Sequence, residues 1–246
     1  MKITVLTLFP EMYNDFLSTS IIGRAVKNNL VEVEFVQIRD FSKDKFKHVD
    51  DSSFGGGMGQ VMQCQPLLDA LHSVETENSY SIMMSPLGKT LNQQKSREFA
   101  KKEHLIIVCG HYEGIDARVN EHIDELVSIG DYVLTGGEIA SMVIMDSVIR
   151  LLEGSISEGS TEEESFENGL LEYPQYTKPR EYEGQCVPDV LLSGNHAKIK
   201  EWRIAQSLML TKHYRPDLYE KHIFSKEEEK ILKKIEDGKI DIVPLK

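Results

Sequence analysis

The first half of the chain alternates strand-like and helix-like segments, and this alternation constrains the fold more than any other feature. Short apolar or alternating runs rich in β-branched residues cover residues 3–9, 31–38, 80–84 and 105–109, with helical patterns at 15–28 and 92–101. Strands separated by helices predict βαβ units and a mainly parallel sheet covered on both faces. A further helix is predicted to begin at Gly136-Gly137 and to end near Gly154.

The second half has a different composition. Residues 151–177 contain seven glutamates and no lysine or arginine, which is typical of a mobile acidic linker. Beyond it, residues 197–211 and 226–235 predict helices of a small C-terminal domain. These features predict a first domain at 1–157, a linker at 158–172 and a C-terminal domain at 173–246.

Charge is unevenly distributed along the chain. The net charge is −12, but residues 195–246 hold 12 Lys and Arg against 9 Asp and Glu. Within this part the cations face only Glu201 in the local sequence; they are Lys198, Lys200, Arg203, Lys212 and Arg215. A local basic patch can bind RNA on an acidic protein because salt screens distant charges. The alternative, a solvated helix face, is the commoner meaning of such a patch.

Cysteine content and hydropathy indicate the compartment. Cys64, Cys109 and Cys186 offer neither a disulfide framework nor metal-ligand spacing, and the histidines show no metal spacing either. No apolar run approaches the roughly 20 residues that cross a bilayer. Residues 3–9 are expected to form a strand and not a signal peptide. A cytoplasmic protein with no membrane partner is therefore expected.

Several glycine-rich loops are candidates for ligand binding. The loop 54–59 fails the dinucleotide fingerprint because Gln60 replaces a glycine and no strand is evident before it. Residues 88–90 fail the Walker A pattern because Met83 replaces its first glycine, so dehydrogenases and NTPases are disfavoured. The glycines indicate positive φ or close approach of a ligand; a plain flexible loop is the alternative.

Three other loops follow strands at their carboxyl ends, at 85–88, 109–114 and 128–137. Open parallel sheets bind ligands at this edge, so the loops together predict one pocket for a small planar ligand. Arg150 and Glu164, taken alone, have ordinary interpretations as an exposed arginine and a solvated glutamate.

Five stretches form a more specific pattern when they are taken in order. They are FGGGMG (54–59), CGHYEGIDARV (109–119), SIGDYVLTGGE (128–138), SFENGLLEYPQYTKP (165–179) and GNHA (194–197). Together they closely resemble the bacterial tRNA (guanine-N1-)-methyltransferases of the TrmD type, within the SPOUT superfamily. The resemblance extends from Met1 through about Tyr219.

The resemblance implies an α/β fold with a mainly parallel sheet, a deep trefoil knot of the SPOUT type and a small helical C-terminal domain that binds the tRNA anticodon stem-loop. It implies an obligate homodimer with each active site at the subunit interface. The implied activity transfers methyl from S-adenosylmethionine to N1 of guanosine 37, 3′ of the anticodon, which supports reading-frame maintenance. A dependence on Mg2+ is also implied.

The resemblance also implies roles for individual residues. S-adenosylmethionine is expected to bind at Pro86, Leu87, Gly88, Gly110, Glu113, Ser128, Ile129, Gly130, Asp131, Tyr132, Val133, Leu134, Gly136 and Gly137. The tRNA is expected to contact Asp50, Gly55, Gly56, Gly57, Gly59, His111, Lys198, Trp202 and Arg203. For Trp202, a core position in the small domain is the alternative.

By position, Arg150 and Glu164 match the family's catalytic arginine and carboxylate. Guanine N1 carries a proton at neutral pH, which a carboxylate can accept, and an arginine can stabilise the charge that develops toward O6. A free glutamate has a pKa of about 4.3, so the site must raise it or bind deprotonated guanine strongly. The position of Glu164 in a linker suggests that tRNA completes the site by induced fit.

The chain departs from the family pattern at two of these positions. Glu164 stands where aspartate is usual, with Glu162 and Glu163 beside it, so the register of the base stays open. His111 stands where arginine is frequent. Two alternatives remain: a SPOUT-type enzyme for rRNA or another tRNA position, which would lack the segment 165–179, and a binding protein that has lost catalysis.

Overall fold

A computed structural model describes residues 1–156 and 164–245. The chain forms two compact units, Met1–Glu158 and Gly159–Lys246. The strands of the first unit are β1 (Lys2–Thr7), β2 (Glu32–Gln37), β3 (Asp50–Ser52), β4 (Gln60–Met62), β5 (Ser79–Thr90), β6 (His104–Val108) and β7 (Glu125–Ser128). Its helices are α1 (Asn14–Ser18), α2 (Ser20–Lys27), α3 (Cys64–His72), α4 (Gln93–Ala100) and α5 (Glu138–Ile149). Part of the predicted linker, with Glu162 and Glu163, lies outside the described residues.

Five strands form one sheet in the order β2-β1-β6-β5-β7, and every pairing is parallel. The predicted parallel sheet is therefore confirmed. The central strand β6 is buried along its whole length. Leu105 and Ile107 pack into the core on one face with α2, α4 and α5, whereas Ile106 and Val108 pack on the other face with α3. Helices thus cover both faces, as predicted.

The prediction of a single helix over residues 15–28 is wrong, because the chain forms two helices there, α1 and α2. Thr19 is extended and Ser20 has φ +55°. A β-carbon on Gly23 would lie 2.5 Å from the Ser18 carbonyl carbon. Only glycine allows the end of α1 to lie this close to α2, and the periodicity does not reveal this contact.

Two strands of the first unit have no apolar pattern in the sequence. β3 and β4 pair antiparallel and flank the glycine loop 54–59. The expectation that no strand precedes this loop is therefore wrong. The sequence does not predict β3 because the strand consists of three polar residues without apolar alternation. The expected positive φ is confirmed at Gly55, Gly56, Gly57 and Gly59.

The helix predicted to begin at Gly136-Gly137 is α5, with Gly137 as its N-cap. The prediction that it ends near Gly154 is wrong, because α5 ends at Ile149. The chain then turns through Gly154, which has φ +85°.

The second unit contains β8 (Glu181–Tyr182), β9 (Gln185–Cys186), α6 (Asp189–Leu192), α7 (His196–Tyr214), α8 (Pro216–Tyr219) and α9 (Lys226–Glu236). α7 and α9 confirm the two predicted helices. The Asn195 side chain accepts a hydrogen bond from the Lys198 backbone N–H at the start of α7, and Ser225 and Glu228 form a capping box on α9. Leu208 and Ile231 from these two helices are buried together in a small core.

Candidate active site

A cavity of about 400 Å³ lies at the carboxyl ends of β5, β6 and β7. The three loops predicted to form one pocket all contribute to its lining. The expected cofactor-binding residues in the lining are Pro86, Leu87, Gly110, Glu113, Ser128, Ile129, Gly130, Tyr132, Val133, Leu134, Gly136 and Gly137. His111, which was expected to contact substrate, lines the same cavity.

Gly88 and Asp131 are not in this lining. Gly88 lies at the end of an excursion of β5, which leaves the sheet after Met84 and returns at Lys89, both opposite Val127. A β-carbon on Gly88 would lie 2.4 Å from the Val127 nitrogen, so glycine here lets β5 return against β7. Asp131 is exposed. The structure therefore gives Gly88 a role in strand packing.

The floor of the cavity is the point where α5 begins against the end of β6. The Gly137 N–H donates a 2.8 Å hydrogen bond to the Gly110 carbonyl. A β-carbon on Gly137 would lie 2.8 Å from the Cys109 Cα. Because that neighbour is backbone, a side chain at 137 would force the two segments apart.

The loop 128–134 forms a rim with both polar and apolar groups. The Ser128 hydroxyl accepts a hydrogen bond from the Gly130 N–H at 3.1 Å, and Gly130 has φ +147°. Val133 is 97% exposed and Tyr132 is 58% exposed. Exposed apolar side chains beside backbone hydrogen-bonding groups suit a ligand with a planar apolar ring and polar edges.

Glu113 lies between this cavity and the glycine loop. Its N–H donates to the Gln60 carbonyl at 2.9 Å, and its side chain occupies the space where a β-carbon on Gly59 would be. Gly55, Gly56 and Gly57 are exposed and outside the cavity lining. Asp50 is half-buried in β3 at the base of this hairpin. The expected substrate loop is thus joined to the cavity at Gly59.

A buried carboxylate lies beneath the loops 109–114 and 128–137. Glu138 is 2% exposed, and its Oε1 accepts a 2.8 Å hydrogen bond from the Thr7 hydroxyl. Its Oε2 lies 3.8 Å from His111 Nε2. The sequence alone predicts no role for Glu138; the signal that could have identified it is an acidic residue in the first turn of a helix.

A second buried polar group lies deeper, where the Tyr13 hydroxyl meets the Ser141 hydroxyl at 2.6 Å and the Cys109 thiol at 3.5 Å. Burial raises the pKa of the Cys109 thiol to about 12 and also raises the pKa of Tyr13. Both groups are therefore neutral, and Cys109 is an inert core residue.

The second unit has its own cavity of about 350 Å³. Glu164 and Arg203, two of the predicted site residues, are half-buried in its lining. Tyr173 forms part of the wall, and the Arg203 guanidinium lies 4.5 Å from the centroid of its ring. Trp202 is only 4% exposed, which supports the core alternative over direct contact with tRNA.

The predicted basic patch is partly neutralised within this unit. Lys200 pairs with Glu227 at 3.1 Å, and Arg215 pairs with Asp217 at 2.8 Å. The interpretation that only Glu201 opposes these cations is wrong, because α9 brings Glu227 to α7. Lys198 remains exposed.

The family model described as tRNA (Guanine-1)-methyltransferase TrmD matches residues 1–221.

The chain belongs to the TrmD family.

Relatives of this family member are similar along nearly their whole length. A protein of Ruminiclostridium cellulolyticum named tRNA (guanine-N(1)-)-methyltransferase is 58% identical over 226 residues, which are 90% of this chain and 97% of that protein. A protein of the same name from Clostridium botulinum strain 657 is 54% identical over 235 residues, which are 95% of this chain and 98% of that protein. The resemblance found in the sequence is confirmed.

In this TrmD-family chain, the two residues matched to catalytic roles lie in different units. Arg150 caps the C-terminal end of α5 in the first unit. Glu164 lines the cavity of the second unit. Glu162 and Glu163, the other candidates for the base, lie outside the described residues, so the register stays a prediction.

Within residues 1–156 and 164–245, no group of three or more His, Cys, Asp or Glu side chains is placed to hold a metal ion. No helix in the part of the chain that the structure describes is long and apolar enough to span a bilayer.

Some residues in the cavity of this family member were not predicted. Tyr112 lines it with φ +60°, and Arg39 donates a 3.3 Å hydrogen bond to its hydroxyl. Its place between His111 and Glu113 in one motif is a signal that could have identified it. Ala117 and Asn120 come from the 3-10 helix Ala117–His122, and no motif in the sequence marks them as ligand-binding.

Proposed function

We propose that this chain transfers a methyl group from S-adenosylmethionine to N1 of guanosine 37 in tRNA, giving 1-methylguanosine and supporting reading-frame maintenance. One observation carries the proposal: in a TrmD-family chain, the loops matched to donor binding line one cavity at the carboxyl edge of a parallel sheet. The fit is chemical as well as positional. The apolar rim at Tyr132 and Val133 suits the ring of adenine.

The proposed reaction uses one acid–base group and one cation. Glu164 accepts the proton of guanine N1, and the N1 electron pair forms the new bond to the methyl carbon. The sulfur–methyl bond breaks with its electron pair on sulfur, which leaves neutral S-adenosylhomocysteine. Arg150 stabilises the negative charge that develops toward O6. Glu164 lines a cavity while half-buried, and a carboxylate that a substrate can reach supports this role.

We propose a homodimer in which the active site lies at the subunit interface. Ile139 and Val143 are 50% and 43% exposed on α5 and lie one helical turn apart. Arg150 follows on the same side of the helix axis, at a spacing of about two turns from Val143. An exposed apolar stripe that leads to Arg150 supports pairing of α5 with a second copy.

For tRNA recognition, we propose that the second unit binds the anticodon stem-loop through Lys198 and Arg203. A base in an anticodon loop can be splayed out and read on its Watson–Crick edge without melting a duplex. The glycine loop 54–59 is proposed to approach the target nucleotide, since Gly59 lies against Glu113 at the cavity. A tRNA substrate implies action in the cytoplasm.

The trefoil knot is part of the same proposal. β7 is the edge strand, yet the segment after it reaches the end of β6, two positions away in the sheet, where Gly137 bonds to Gly110. Such a return across β5 supports threading of this segment. The implied Mg2+ dependence stays a prediction, because the described residues provide no grouped ligands for the ion and no step depends on it.

The test is methyl transfer from labelled S-adenosylmethionine to an unmodified tRNA transcript with guanosines at 36 and 37. Parallel reactions use an adenosine-37 transcript, the variant Glu164→Gln and, as a matched control, Glu181→Gln in the exposed strand β8. The proposal expects label that requires both guanosine 37 and Glu164. Label on the adenosine-37 transcript would place the target elsewhere, and no label on either would favour a binding protein.

A further inference from the structure

Glu138 is a carboxylate in an unusual environment for a charged group. It is 2% exposed, and a buried charge is costly unless it is paired or hydrogen-bonded. Three features compensate it: the Thr7 hydroxyl at 2.8 Å, His111 Nε2 at 3.8 Å, and the N-terminal end of α5. A carboxylate with this many partners from separate segments is a candidate for holding those segments in place.

The segments that meet at Glu138 are the two loops of the donor cavity and the strand β1. His111 belongs to the loop after β6, and its ring also packs on Phe9, 5.0 Å between centroids. Phe9 in turn donates its N–H to the Thr7 hydroxyl at 3.0 Å. Thr7, Phe9, His111 and Glu138 therefore form one connected group below the cavity.

Gly136 shows how tightly this group is packed. A β-carbon there would lie 2.5 Å from Glu138 Oε2 and 2.5 Å from His111 Cδ2. The turn at 136–137 thus rests directly on the carboxylate and the imidazole. Movement of Glu138 would release both the turn and His111, which line the same cavity.

We propose that Glu138 is a positioning residue for the donor pocket, which holds His111 and the 136–137 turn in the arrangement that binds S-adenosylmethionine. The inference rests on the proposed function for its ligand. Glu138 is itself outside the cavity lining, so it acts through His111 and the turn. Its loss weakens donor binding more than tRNA binding, because His111 is a single member of the set expected to contact tRNA, whereas Lys198 and Arg203 belong to the second unit.

The test measures binding of S-adenosylhomocysteine by calorimetry and the KM values for donor and tRNA. Glu138→Gln keeps an oxygen that can accept from Thr7 but removes the charge beside His111. It is expected to weaken the binding of S-adenosylhomocysteine at least tenfold and to raise the KM for donor similarly, with a clearly smaller rise in the KM for tRNA. Glu77→Gln, an exposed change two residues before β5 begins, is the matched control.

A second pair of variants keeps the test decisive if Glu138→Gln does not fold. Thr7→Val removes the hydroxyl that donates to Glu138, and Thr7→Ser restores it. Donor affinity is expected to fall with valine and to recover with serine.

Wild-type donor affinity in a folded Glu138→Gln protein would overturn the inference. Equal increases in both KM values, or equal affinities of the valine and serine variants, would also overturn it. A wild-type chain that binds no S-adenosylhomocysteine would instead overturn the proposed methyl donor. Glu138 would then have no donor pocket to position.

Discussion

Replacement of Gly137 by alanine tests whether the floor of the cavity is set by backbone contact. The new β-carbon would lie 2.8 Å from the Cys109 Cα and 3.0 Å from the Gly110 nitrogen, whereas ordinary contact begins near 3.4 Å. The start of α5 must therefore move by about 0.6 Å, which stretches the 2.8 Å hydrogen bond from Gly137 to Gly110. Gly137 has φ −80°, so backbone strain does not add to this effect.

Overpacking of this kind costs about 1–3 kcal/mol. For a protein of this size each kcal/mol lowers the Tm by about 2–4 °C, so we expect a decrease of about 2–12 °C by calorimetry. Binding of S-adenosylhomocysteine should weaken as well, because both loops shift at their junction.

Gly110→Ala is the matched comparison in the same cavity. Its β-carbon would meet the Ile115 Cδ1 at 2.9 Å, but that atom ends a flexible side chain that can rotate away. We therefore expect a Tm decrease less than half as large as for Gly137→Ala. Equal Tm values for the two variants, or a greater loss for Gly110→Ala, would refute the reasoning from backbone contact.

Three further predictions follow from burial and charge. Cys186 is exposed, whereas Cys109 is buried and its pKa is raised to about 12. Iodoacetamide at pH 8 should therefore modify Cys186 in the folded protein and Cys109 only after unfolding. Mass spectrometry detects the modified residue, and modification of Cys109 in the folded protein would contradict its burial. The hydrogen bond from Arg118 lowers the pKa of Asp116 to about 2. A carboxyl whose pKa is lowered in the folded state stabilises the fold at pH values above its pKa in the unfolded chain, which is about 3.9. This stabilisation is lost as the pH falls toward 2. Asp116→Asn should therefore lower stability slightly at pH 7 by urea titration, with a smaller difference from wild type at pH 3, and a constant difference would argue against this pair. Lys198→Ala should raise the KM for tRNA and reduce the salt slope of binding by about 1 with donor affinity unchanged, and an unaltered slope would remove Lys198 from the RNA contacts.

The sequence predicts those parts of the fold whose causes are local. Residues 105–108 of β6 form a continuous apolar run, as expected for a strand that is buried on both faces, and the sequence predicts the strand for that reason. The break between α1 and α2 depends on Gly23 meeting the Ser18 backbone, a contact that a 3.6-residue period does not register. β3 is hidden because three polar residues of a hairpin carry no apolar alternation.

In the candidate site, too, the sequence predicts the local features and misses those that depend on contacts distant in sequence. The three loops were predictable because each follows a strand of a parallel sheet, and the resemblance then supplied the individual residues. Glu138 was missed because its partners Thr7 and His111 are distant in sequence. The pairing of Lys200 with Glu227 was missed for the same reason, since charge counting along α7 does not include α9.

The excursion of β5 at residues 85–88 has a consequence for the cavity wall. Met84 and Lys89 both pair with Val127, so the two ends of the excursion are held at one point of the sheet. Leu91 adds a further bond to the Ser128 carbonyl at 2.8 Å. Amides that flank the excursion should exchange slowly with solvent, because their exposure requires the sheet edge to separate. A ligand in the cavity would then bind against a fixed wall on the β5 side.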